Sequence, residues 1–140
     1  MKLIVTLSMA LMMLGSISCN AQVDKKNDVK SNVTEKIEVY YFHFTRRCHT
    51  CETVENESRK AVEALYPTQM KNGQITFQAI NLDDESSKAA AAKAKAEGQS
   101  LLIIKGTTRI DLTDKGFMYA VSSPDKLQAE IKKAVDPLLQ

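Results

Sequence analysis

Cys48 and Cys51, with two residues between them, are the side chains of this sequence best suited to chemistry. They stand in Arg46-Arg47-Cys48-His49-Thr50-Cys51, directly after the run Ile37-Glu38-Val39-Tyr40-Tyr41-Phe42-His43-Phe44. From Cys48 to Leu65 the composition is helical. Residues at i and i+3 share one face of a helix, so two sulfurs at this spacing can close a short disulfide. A first cysteine at a helix N-terminus meets unpaired backbone N–H groups and the positive end of the helix dipole. Both favour thiolate, the nucleophile of thiol–disulfide exchange. Arg46 and Arg47 add positive charge beside Cys48, and Glu52 and Glu55 oppose it. The expected catalytic pair is therefore Cys48, with a lowered pKa, as attacker and Cys51 as resolving thiol. Arg46, Arg47 and His49 are the expected tuners of the thiolate.

The pair leaves other readings open. A structural zinc site needs about four ligands. Only His43 and His49 could supplement the two sulfurs, and there is no second Cys-x-x-Cys, so no metal ligand set is assigned. An inert disulfide over so short a loop would constrain little. A third alternative is non-enzymatic capture of a soft ion such as arsenite or Cu(I), since thiolates select such ions. His43 lies within the apolar run and reads as a packed core histidine. No cofactor-binding signature is present.

The chain has 140 residues, which suits a single domain. Its 44% hydrophobic and 26% charged content are those of a globular protein. The net charge, 19 − 17 = +2, does not point to nucleic acid. The N-terminus reads as an address. Lys2 precedes an apolar stretch from Leu3 to Ile17, shorter than the about 20 residues of a membrane span. Ser16-Ile17-Ser18-Cys19 follows, with small residues before a cysteine. This predicts a lipoprotein signal peptide over residues 1–18 and lipidation of Cys19, the alternative being ordinary cleavage after Ala21 with Cys19 discarded. Residues 19–35 are polar and suit a flexible tether. The globular domain is expected over 36–140. The expected location is the bacterial cell envelope, lipid-anchored to a membrane and facing the periplasm. The expected partners are protein thiols or disulfides, or a redox partner protein.

The elements that must position the dithiol follow from composition and spacing. Ile37–Phe44 reads as a largely buried strand, followed by the helix from Cys48 to Leu65, which Tyr66-Pro67 stops. Ile75–Leu82 is a second strand and Asp83–Glu97 an Ala- and Lys-rich helix closed by Gly98. Leu101–Ile104 and Arg109–Thr113 are strands joined by a tight connection. Ser123-Pro124 opens a last helix with an apolar stripe of Leu127, Ile131, Ala134, Val135 and Leu138. The order βαβαββα predicts an α/β fold with a four-stranded mixed sheet between helices, the minimal thioredoxin-like architecture.

The segment Phe44 to Cys51 and the strand Ala79-Ile80-Asn81-Leu82-Asp83 resemble the thioredoxin superfamily, over about Lys36 to the end. More closely, Tyr-Tyr-Phe-His-Phe-Thr-Arg-Arg-Cys-His-Thr-Cys resembles small exported bacterial proteins. That family carries the label nitrophenyl compound nitroreductase subunit and is associated with arsenic-handling gene clusters. The label implies a redox context, although this chain shows no flavin signature. Thioredoxins place a buried acid six residues before the first cysteine, which here is Phe42. Their second-strand lysine matches Ala79, their Trp matches Arg47, and their cis-proline matches about Gln99. These departures predict weaker general reductase activity. They also predict a flexible polar segment at Gly98-Gln99-Ser100 that leaves the dithiol open to small ligands.

Overall fold

The computed structural model describes residues 35–140. The signal segment, Cys19 and all but the last residue of the tether lie outside the described residues. The elements are β1 (Ile37–His43), α1 (His49–Leu65), α2 (Pro67–Lys71), β2 (Ile75–Asn81), α3 (Lys88–Ala94), β3 (Ser100–Lys105), β4 (Thr108–Asp111), α4 (Thr113–Tyr119) and α5 (Pro124–Val135). Short 3₁₀ turns precede α3 at Glu85–Ser87 and follow α5 at Asp136–Leu139.

The four strands form one sheet in the order β2-β1-β3-β4. β1 pairs with β2 in parallel, and β1 with β3 and β3 with β4 antiparallel. Alternation along β1 explains the two layers. Ile37, Val39 and Tyr41 join Ile75, Leu101 and Ile103 in a core that also holds Val54 of α1 and Leu127 and Ile131 of α5. Tyr40 and Phe42 join Leu102 and Ile104 in a smaller core with Ala94 of α3. The sheet thus lies between helices, and its strand order and pairing directions are those of the expected thioredoxin-like fold.

Local chemistry sets the element ends. The buried residues of α1, Cys51, Val54, Ser58, Ala61 and Val62, fall on one helical face. Pro67, expected only to stop this helix, also opens a second one as its first residue, a position where its missing N–H costs nothing. The helix expected over Asp83–Glu97 is shorter, because Lys95 takes a left-handed conformation with φ 51° and ends α3. The guanidinium of Arg109 then accounts for an orphan carbonyl by donating from Nε to Ala94 O at 3.0 Å.

The strand expected to run through Thr113 stops at Asp111. Asp111 Oδ1 accepts from Thr113 N at 3.0 Å and from Thr113 Oγ1 at 2.6 Å, which turns the chain and starts the unexpected α4. Gly116 lowers the helix propensity of this segment and so hides it in sequence. Its missing side chain lets α4 approach α1, since a Cβ there would lie 3.0 Å from Val54 Cγ1. Among the described residues no helix is long and apolar enough to cross a membrane.

Candidate functional site

Cys48 and Cys51 are joined as a disulfide, with Cα atoms 5.1 Å apart. Cys48 is the N-cap of α1, in extended conformation. Its Sγ accepts the backbone N–H of Cys51 at 3.2 Å, where an ordinary cap would offer a hydroxyl or carboxylate oxygen. Its carbonyl accepts from Glu52 N at 3.1 Å, the first turn of the helix. The pair is asymmetric: Cys48 is exposed, whereas Cys51 retains only 7% of its accessible surface.

The resolving position is braced from below. Tyr41 is fully buried, and its hydroxyl donates to the carbonyl of Cys51 at 2.8 Å. The same hydroxyl accepts from Gln99 Nε2 at 2.5 Å. Burial raises the Tyr41 phenol above its ordinary pKa, and the Gln99 hydrogen bond and Arg47 charge only partly oppose this. Counting along the chain puts Phe42 at the place of the thioredoxin acid, yet Phe42 packs in the opposite layer with Leu102 and Ala94. Tyr41, on the layer that packs against α1, is the β1 side chain that hydrogen-bonds to the dithiol helix.

The segment expected to be open and flexible is tied down. Ser100 is buried, starts β3, and donates from Oγ to Gly98 O at 3.0 Å, while Gln99 turns its amide onto Tyr41. The reason is register: Ser100 pairs with Phe42, so the sheet extends to the site. The described residues contain no cis peptide bond.

The expected tuners divide. Arg47 forms an ion pair with Glu55, and its guanidinium carbon lies 5.9 Å from the centre of the Tyr41 ring. Glu55 also accepts from Arg59 at 3.0 Å, and Arg59 stacks over Phe77 at 4.6 Å. Burial works against the Glu55 carboxylate, but hydrogen bonds from both arginines hold it below the usual range. Arg47 is thus largely neutralised and anchored rather than free to act on Cys48 alone. Arg46 and His49 are exposed beside the disulfide, and neither has an ion-pair partner among the described residues.

The connection from β1 to Cys48 is pinned to the end of β2. Thr45 N donates to Asp83 Oδ2 at 2.8 Å, and Asn81 Nδ2 donates to Thr45 Oγ1 at 3.0 Å. The Thr45 backbone hydrogen bond is the main cause that holds Asp83 below its ordinary pKa. His43 is half-buried at the end of β1, stacked with Tyr41 at 6.2 Å, with Nδ1 3.0 Å from Phe44 O. It is not the core histidine expected: it is the last residue of β1 and is only half-buried there. Among the described residues no three His, Cys, Asp or Glu side chains converge as a metal site requires.

Sequence reading did not assign roles to Tyr41, Asn81 or Asp83, nor pair Glu55 with Arg47. One signal was available for Tyr41. A phenol inside a largely buried strand must find a hydrogen-bond partner, and the nearby helix terminus offers one.

Together the fold and the site define a thioredoxin-like domain carrying a Cys-x-x-Cys disulfide at the start of its first helix. No family model matches the chain, and no curated protein does. Solved structures align with it. One, described as a malarial protein, is 25% identical over 70% of this chain and 96% of its own, with a TM-score of 0.42. Another is thioredoxin-2, a component of malaria parasite protein secretion machinery. It is 22% identical over 71% of this chain and 84% of its own, with a TM-score of 0.43.

Proposed function

We propose that this chain is a thiol–disulfide exchange protein of the bacterial cell envelope, lipid-anchored through Cys19 and acting on a protein thiol or disulfide partner. The observation that carries the exchange reading is the asymmetry of the pair, an exposed Cys48 capping α1 above a buried Cys51. Anchoring is supported by the apolar run ending in Ser16-Ile17-Ser18-Cys19. The motif from Tyr40 to Cys51 supports kinship with the exported family labelled nitrophenyl compound nitroreductase subunit.

In the reducing direction, the Cys48 thiolate attacks one sulfur of the partner disulfide. A Cys48–partner bond forms, the partner S–S bond breaks, and its electron pair leaves on the second partner sulfur, which takes up a proton. Cys51 then loses its proton and attacks Cys48 Sγ. The Cys48–Cys51 bond forms, the mixed disulfide breaks, and the first partner sulfur leaves and is protonated. The protein is oxidised by two electrons and the partner reduced by two; the reverse sequence oxidises a partner dithiol.

Trapping tests the reading. The full chain with Cys51→Ser is expected to accumulate partner adducts that reductant releases, and the chain with Cys48→Ser is not. Equal trapping by both variants overturns the assignment. Stoichiometric uptake of arsenite or Cu(I) without disulfide turnover replaces exchange with soft-ion capture. Mass spectrometry of the mature N-terminus tests the anchor: a diacylated Cys19 is expected, and an unlipidated start at Gln22 removes it.

A further inference from the structure

We propose that Tyr41 and Gln99 are positioning residues for the resolving step, holding the backbone of Cys51 so that its sulfur stays aimed at Cys48. This rests on the exchange reading and adds to it how the second half of the reaction is organised.

Three observations converge on it. Tyr41 is fully buried, so its hydroxyl is obliged to find partners within the protein. It finds them on either side of the site, donating to Cys51 O at 2.8 Å and accepting from Gln99 Nε2 at 2.5 Å. Both residues are held by the sheet: Tyr41 pairs with Leu101 in the β1–β3 ladder, and Gln99 directly precedes β3. The sheet therefore reaches the first turn of α1 through a chain of two hydrogen bonds.

The first turn of a helix is where this bracing matters. Its backbone lacks the full set of intrahelical bonds and frays most readily. In the oxidised protein the disulfide itself closes that turn. In the mixed disulfide this covalent closure is gone, and Cys51 must be kept near Cys48 by other bonds. Attack of Cys51 on Cys48 Sγ forms the internal disulfide, breaks the bond to the partner and sends an electron pair out on the partner sulfur. Alignment governs how often that attack succeeds. A phenol kept neutral by burial does not serve as the base for the Cys51 proton, so the role is positional.

The test uses dithionitrobenzoate on the reduced full chain carrying Cys19→Ser, so that only Cys48 and Cys51 react. Attack by Cys48 releases one thionitrobenzoate, and resolution by Cys51 releases a second. In Tyr41→Phe the second release is expected to slow by about fivefold, the worth of one hydrogen bond, with the first unchanged. Gln99→Leu is expected to do the same, and the double variant to be no slower than Tyr41→Phe alone. A purely structural role would leave the ratio of the two rates unaltered. Unchanged second release in Gln99→Leu overturns the proposal even where Tyr41→Phe does not fold, as do effects that multiply in the double variant. Absence of a second release in the parent chain would instead remove the exchange reading beneath it.

Discussion

The guanidinium of Arg47 is ion-paired with Glu55, on the second turn of α1, while its carbon sits 5.9 Å from the centre of the Tyr41 ring. An arginine adjacent to Cys48 in sequence is thereby held as part of the scaffold. Its charge is compensated by a carboxylate that also serves Arg59.

Glu55→Gln releases that charge. With one negative group removed near the helix start, the Cys48 thiolate is stabilised. Alkylation of reduced Cys48 by iodoacetamide at pH 6 is expected to rise by roughly threefold. A slower reaction would show that Glu55 supports the thiolate instead, through its placement of Arg47.

The same ion pairs link stability to pH at the acid end. Glu55 has a depressed pKa in the fold, so its contribution is present above the unfolded carboxylate's pKa and lost as pH falls through the folded one. Denaturant midpoints measured from pH 6 down to pH 3 should therefore fall less steeply in Glu55→Gln than in the parent. Parallel curves would mean that the arginine pairs add no net stability.

At the alkaline end Tyr40 acts with the opposite sign. Burial first, then the hydrogen bond and charge of Glu38, push its phenol from 10.0 up to about 12. Its hydroxyl donates to Glu38 Oε1 at 2.9 Å. A raised pKa contributes stability that is complete below the unfolded value and lost as pH rises through the folded one. Stability should drop between about pH 10 and pH 12, and Tyr40→Phe should remove part of that drop. A slope identical in both proteins would assign it to other groups.

Lys95 closes α3 at φ 51°, with its N–H donating to Ala92 O at 3.2 Å and that of Ala96 to Ala91 O at 2.9 Å. A side chain in this region is strained, and glycine is not. Lys95→Gly should raise stability by roughly 0.5–1 kcal/mol, read from the urea midpoint. A loss of stability would show that the flexibility glycine adds to the unfolded chain outweighs the relieved strain.

Ser58 lies on the buried face of α1 with no accessible surface, and its Oγ has no hydrogen-bond partner among the described residues. Replacing it by Ala removes an unsatisfied hydroxyl while deleting one atom of volume. Thermal or chemical unfolding of Ser58→Ala should show a gain of roughly 1 kcal/mol. A marked loss would mean that the hydroxyl is satisfied in solution.

Much of this protein was readable from one dimension because its signals are local. The β-branched and aromatic run of β1, the helical face of α1 and the Ser-Pro start of α5 each declare themselves within a few residues. The spacing of Cys48 and Cys51, next to a strand-to-helix handover, was enough to place the dithiol at a helix start. What stayed hidden depends on partners distant in sequence. Whether Arg47 faces Cys48 or Glu55 is settled by how α1 leaves its N-cap. Whether Gly98-Gln99-Ser100 is loose or tied down is settled by the pairing of Ser100 with Phe42. The place of the thioredoxin acid could be counted along the chain to Phe42, but strand alternation turns that side chain to the other layer. Only the folded sheet, bringing Tyr41 and Gln99 together across 58 positions of sequence, puts a neutral hydrogen-bonded phenol beneath Cys51.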